Sequence, residues 1–453
     1  MVPSRKVHAR LAAASAIASA FAGPLGLSAA AFAQVAPPPP VAPPPVAPPT
    51  LGVPTRDELE GIRNQPPETR PRLDIAGGIE RAPCPLADPE FADVPVTISN
   101  VVFNNLKGAS PAELEPAWRP FAGKPQPVAV ICEIRDAAAT ILRNKGYLAA
   151  VQVPTQRIEN GQVQLEVLYA RISAIRARGE TRGAERKLQE YLGQLTEDEI
   201  FDRNKAERYL LLARDLPGYN VQLTLRPAGS APGDLVGEVT VLRRPYALDL
   251  TAQNYGARAT GRWGGQVRAQ AFGLTGLGDA TSIALYSTAD FDEQQILQLS
   301  HEFRPGSEGL VIEGQFTYAW TEPDVVVGGG GKLEARTLFA GLSARYPVQR
   351  SQGENLWLGG GFDYVNQKVD LLGPLTRDKL RVVWLRATYD AVDLNSRRPA
   401  WRAGGFVELR RGLDLFDATE RCGTAGCADG QVDPSRLTGD PEGTVIRASA
   451  EAE

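Results

Sequence analysis

Four cysteines and two histidines, Cys84, Cys132, Cys422, Cys427, His8 and His301, hold the most reactive side chains of this 453-residue sequence. Two histidines are too few for His-ligated metal centres or for the usual imidazole acid–base chemistry. Cys422-Gly-Thr-Ala-Gly-Cys427 is the one closely spaced thiol pair. With no histidine or second pair beside it, a small loop-closing disulfide is favoured over a metal site. Val325-Val-Val-Gly-Gly-Gly-Gly-Lys332 looks superficially like a phosphate loop. It fails, because Val326 stands where the first glycine belongs and Leu333 where a magnesium-binding Ser or Thr belongs. The glycines between Gly273 and Asp279 precede no helical pattern, so they are no dinucleotide fingerprint. There is no G-x-S-x-G elbow, and the carboxylates are too many to single any out. The residues therefore point to no enzyme, cofactor, metal or nucleotide. A net charge of −4, from 49 basic against 53 acidic residues, argues against a nucleic-acid partner.

The elements around these residues divide the chain. Residues 1–33 read as a signal peptide, with basic Arg5, Lys6 and Arg10, an Ala-rich apolar run and an Ala31-Phe-Ala33 cleavage site. Export makes all four cysteines potential disulfide partners. Residues 34–83 read as a Pro-rich linker, with a polyproline II spacer at 36–50 and a short helix near 55–63 capped by Thr55 with Glu58. From Val96 the order is strand (96–103), helix opened by Ser110-Pro-Ala-Glu113, helix (128–145) ended by Gly146, and two strands (147–153, 163–169) joined at Glu159-Asn-Gly161. The same order recurs over 171–242, giving two tandem α+β units of about 75 residues, small but within the range that folds alone. By pattern alone, these also suit two periplasmic binding or scaffold modules.

From about 244 to 453 the helical period gives way to alternation in nine or ten segments of roughly ten residues. In Leu310–Trp320 one face is Leu310, Ile312, Gly314, Phe316, Tyr318 and Trp320, and the other carries Glu313, Gln315 and Thr317. Apolar faces that end in Tyr or Trp suit interfacial girdles, while Arg268, Gln270, Arg386 and Asp390 suit a wet lumen. Short connections near 276–279, 304–308, 349–354 and 395–400 fall on the periplasmic side. Longer ones near 321–334, 369–378 and 414–442 fall outside, the last with Cys422 and Cys427. The expected fold is α+β tandem modules followed by a membrane antiparallel β-barrel.

The whole resembles the outer-membrane transporters of two-partner secretion, the haemolysin/filamentous-haemagglutinin secretion and activation type, in which POTRA domains precede a β-barrel. The first unit (84–170) carries Cys84, Cys132, Gly146-Tyr147, Pro154-Thr-Gln156 and Gly161, in the order of that family's paired cysteines, "GY" and "P-x-Q…G" motifs. The second (171–243) carries Pro217-Gly218, and the barrel opens with Asn254-Tyr-Gly256 and Gly276-Leu-Gly278-Asp279. The likeness covers about 84 to 410. It implies a Cys84–Cys132 disulfide stapling the first module; two free thiols are the alternative.

The resemblance implies a non-enzymatic translocator in the outer membrane, in contact with outer-membrane lipid, with POTRA domains in the periplasm. An unfolded secreted partner protein adds a strand to an exposed POTRA edge and passes through the lumen without a nucleotide. The rivals are an outer-membrane assembly factor, a passive pore or receptor with docking domains, and a soluble scaffold. The family barrel has about sixteen strands, an even count. This chain stops near a tenth with Ala448-Ser-Ala-Glu-Ala-Glu453, so an incomplete barrel, inactive alone, is expected.

Overall fold

The computed structural model describes residues 84–453 except 229–232, 255, 257, 325–330, 395, 397–398, 423–425 and 428–429. The signal peptide, Pro-rich linker and helix expected before Cys84 lie outside the described residues.

The first module runs β1 (Pro95–Thr97), β2 (Asn100–Asn104), α1 (Pro111–Trp118), β3 (Pro125–Pro127), α2 (Val130–Asn144), β4 (Ala149–Gln152) and β5 (Gln162–Tyr169). Its main sheet has the order β2-β5-β4, with β2 parallel to β5. Ile131, Ile134, Ala138 and Leu142 recur at helical spacing on α2, and all four are fully buried against Val163, Leu165 and Val167 of β5. The single strand expected at 96–103 is two strands. The Gly161 carbonyl accepts hydrogen bonds from the N–H groups of Ser99 (2.8 Å) and Asn100 (3.4 Å), and β1 turns away to pair with β3. The Asn160-Gly161 turn, at φ 53° and 72°, opens β5 but does not join β4 directly.

The second module runs β6 (Arg171–Gly179), α3 (Glu185–Gly193), α4 (Arg203–Arg214), β7 (Tyr219–Pro227) and β8 (Asp234–Arg243). Its sheet order is β6-β8-β7, again with a parallel first pair. Tyr191, Leu212, Leu216, Leu225 and Val239 form its core.

Two residues later the chain enters a ten-stranded antiparallel meander: β9 (Tyr246–Gln253), β10 (Gly264–Phe272), β11 (Ala280–Thr288), β12 (Gln294–Phe303), β13 (Val311–Thr321), β14 (Leu333–Arg350), β15 (Glu354–Leu371), β16 (Pro374–Val392), β17 (Arg402–Gly412) and β18 (Thr444–Ala452). The strands pair in chain order, and the sheet is not closed: β9 and β18 are its two edges. The expected loop at 369–378 is instead a tight turn at Leu372-Gly373, because β15 and β16 continue as strands to either side of it.

The burial of the sheet is inverted relative to a soluble protein. Leu342 and Leu385 are 61 % and 66 % exposed on one face, while Asp363 and Glu408 on the other are 2 % and 1 % exposed. That is the outer-membrane pattern, with hydrocarbon outside and polar groups on the concave side. Tyr389 lies at one end of the apolar face of β16, and Tyr364, paired with Arg381, at the other. Roughly eight residues separate the two levels, about 21 Å at ~3.4 Å per residue and a tilt of ~40°. That is near the ~25 Å apolar band of an outer-membrane barrel. Among the described residues, no helix is long and apolar enough to cross a membrane.

Candidate functional site

The polar alternate positions converge on the concave face. Arg268, Gln270, Ser282, Gln298, Ser300 and Gln315 line one recess of about 260 Å³, and Pro217 of the second module lines it too. Further round the wall, Arg410 donates to Asp363 (2.7 Å) and Glu408 (3.2 Å), and Arg386 pairs with Glu408 (2.7 Å). The Trp384 indole N–H donates to Asp363 (3.2 Å). Its ring lies against Gly361, where a Cβ would come within 2.8 Å of it. Strand glycines here make room for an aromatic ring laid against the wall.

The second module meets the sheet at the periplasmic turns. In the turn after β10, Asp279 is fully buried and accepts from the N–H groups of Leu274 and Thr275 (2.9 Å each) and from the Thr275 hydroxyl (2.5 Å). Burial pushes its carboxyl up, but these donors together outweigh burial and hold it below its ordinary range. Gly278, at φ 64°, offers its carbonyl to Arg304 (2.6 Å), and a Cβ there would press on Leu216 and Lys187 of the second module. The buried Lys187 ammonium donates to the Gly306 carbonyl (2.9 Å), in the turn after β12, and pairs with Glu190. Tyr209 donates to Glu308 (2.7 Å) in the same turn. At the turn after β14, Arg350 grips Asp215 with two bonds (2.8 and 2.7 Å), the Gln352 N–H donates to Glu207, and Arg208 donates to the Pro347 carbonyl (2.9 Å). One face of the second module thus spans three successive turns.

The motif residues fall into four places. Pro217, Gly218, Gly278 and Asp279 meet at this junction; Gly218, at φ 77°, gives its carbonyl to Arg244 (2.7 Å) beside Phe272. Gly146 and Tyr147 lie between the modules. The Gly146 carbonyl accepts from Arg203 (2.9 Å), and Tyr147 bridges Asp202 and stands edge-on to Tyr169. Pro154, Gln156 and Gly161 belong to the first module. The Gln156 amide both accepts from and donates to the backbone of Gln164 (2.7 Å each), extending the ladder of β5 beyond the end of β4. Asn254 and Gly256 lie at the opposite end of the sheet, after β9, where the Gly256 N–H donates to Arg262 (3.3 Å). The structure joins Cys84 to Cys132 and Cys422 to Cys427. Sequence reasoning missed Lys187, Arg208, Asp215, Arg304 and Arg350, whose partners lie far along the chain.

Comparison with known proteins agrees with this architecture. A family model described as POTRA domain, ShlB-type, matches residues 96–169, within the first module. Heme/hemopexin transporter protein HuxB of Haemophilus influenzae strain 86-028NP is 25 % identical over 239 residues, covering 51 % of this chain and 41 % of HuxB. A second HuxB sequence of that species is 24 % identical over 202 residues, covering 43 % of this chain and 35 % of its own length. The chain thus spans about two fifths of the length of the curated relatives it matches. CdiB from Escherichia coli has a TM-score of 0.65 at 17 % identity, covering 83 % of this chain and 67 % of that one. CdiB from Acinetobacter baumannii has a TM-score of 0.55 at 16 % identity, covering 79 % and 68 %. With a ShlB-type POTRA module leading through a second α+β unit into an outer-membrane barrel wall, the chain has the make-up of the two-partner secretion outer-membrane transporters whose motifs its sequence resembles.

Proposed function

We propose that the chain acts in protein translocation, passing an unfolded secreted partner of the haemolysin or filamentous-haemagglutinin type outward along its concave wall. The observation that carries this reading is Pro217, which lines the same recess as Arg268, Gln270 and Gln315: the last periplasmic module opens directly onto a hydrophilic track. The edge strands β2 and β4 of the first sheet, and β6 and β7 of the second, give an extended partner backbone places to add a strand. Such recognition uses main-chain hydrogen bonds and tolerates varied sequence. No covalent step is needed, so the role is not enzymatic, and folding of the partner outside the cell supplies the pull. HuxB, a heme/hemopexin transporter by name, suggests a heme- or hemopexin-related partner as one member of this class.

The test is the amount of partner in the medium with and without this gene. Loss without the gene is expected, and unchanged release refutes the reading. Deleting residues 96–242 separates translocator from passive pore, because a pore keeps both conductance and function without them.

A further inference from the structure

The connection between β17 and β18 folds back over the outer, apolar flank of the sheet at the end remote from the POTRA modules. The Leu413 N–H donates to the Arg381 carbonyl (2.7 Å), and the Thr419 N–H to the Lys379 carbonyl (2.9 Å). Arg381 belongs to the outward row of β16, yet it is only 1 % exposed. Its guanidinium lies 3.6 Å over the Tyr364 ring and donates to the Phe416 carbonyl (3.0 Å). This fixes Phe416, whose ring meets that of the outward-facing Phe362 at 6.4 Å. Phe416 and Asp417 are both left-handed, at φ 51° and 57°, a conformation that non-glycine residues hold only when their surroundings impose it.

The result is an apolar tip at headgroup height. Phe416 is 70 % and Leu415 48 % exposed, continuous with the apolar band below. Arg411 points outward in the same row as Phe362, on which Phe416 rests, in register with Val383 and Thr444. Lys379 is neutralised by Asp417, whereas Arg411 has no ion pair among the described residues. A cation at the rim of the lipid face reaches for headgroup anions. At this end of the sheet those belong to the outer leaflet. We infer that Arg411, with Leu415 and Phe416, forms a binding station for one outer-leaflet lipid, the phosphorylated glucosamine glycolipid lipid A.

The full chain, folded in detergent micelles, is titrated with bisphosphorylated lipid A, with dephosphorylated lipid A and with phosphatidylglycerol, and binding is read by native mass spectrometry. Bisphosphorylated lipid A is expected to bind best. Arg411→Gln weakens it about fivefold, as loss of one basic group near an anionic surface implies. Arg411→Lys retains binding, and Phe416→Ser weakens it for every acylated ligand. Phosphatidylglycerol binding as tightly as lipid A, dephosphorylated lipid A binding as well as the phosphorylated form, or Arg411→Gln binding like the parent chain overturns the inference. The headgroup series uses the unaltered chain, so it decides even if a variant misfolds. No secretion is measured, so failure here leaves the translocation reading standing.

Discussion

Glu113 does two jobs at the start of α1. Its carboxylate accepts from the Ser110 N–H (2.8 Å), closing a capping box, and pairs with Lys145 at the end of α2. The Lys145 ammonium first, then Ser110, bring its pKa from an ordinary 4.5 to about 2. A depressed folded value means that the stabilisation is complete above about pH 4.5 and fades as pH falls through about 2. Glu113→Gln keeps a capping acceptor but loses the ammonium. It is expected to lower the hydrogen-exchange protection of α1 slightly at pH 7 and to remove its dependence between those two pH values. Tyr191 makes the opposite case. Its ring is fully buried in the second module, and among the described residues its hydroxyl has no hydrogen-bond partner. Burial pushes the phenol up to about 12. Tyr191→Phe removes an unsatisfied polar atom and is expected to raise stability by about 1 kcal/mol, read from the melting of the second module in the full chain.

At the level of elements, Gly161 and the Asp215–Arg350 pair carry the clearest tests. Gly161 is at φ 72°, and a Cβ there would run into the Thr97 carbonyl. Gly161→Ala is expected to cost about 1–3 kcal/mol, seen as earlier melting of the first module. Asp215→Ala or Arg350→Ala breaks a two-bond, partly buried fork and is expected to cost about 1–2 kcal/mol. Limited proteolysis at the junction reads this directly, and the charge-swapped pair Asp215→Arg with Arg350→Asp recovers part of the loss. The sequence showed much of this level: the α2 period, the Ser110–Glu113 box and the alternating faces of β13 to β16 are local patterns, each set by one element's own geometry. It misjudged the β15–β16 hairpin. Residues 369–378, with Asp370 and Arg377, read as a longer outer connection, but a strand that rises beyond the apolar band can be polar without ending. It was silent on Asp215 with Arg350, since periodicity records which face a residue occupies and never what lies opposite it 135 residues away.

For the whole molecule, the Cys84–Cys132 disulfide closes a 48-residue stretch onto α2. Replacing both cysteines with serine is expected to destabilise the first module by about 2–4 kcal/mol, measured by denaturant unfolding with and without reductant. The order of the motifs announced modules before barrel, and the burial inversion between Leu385 and Glu408 places that barrel wall in lipid. What remained hidden was the joint between the parts. The second module grips the turns after β10, β12 and β14 at once, through Gly278, Lys187 and Arg350. Under the proposed translocation, a tug on that module by a threaded chain is shared among the six strands that those hairpins connect. The load arrives at the membrane as a spread shear, and no single hydrogen-bonded seam bears it alone.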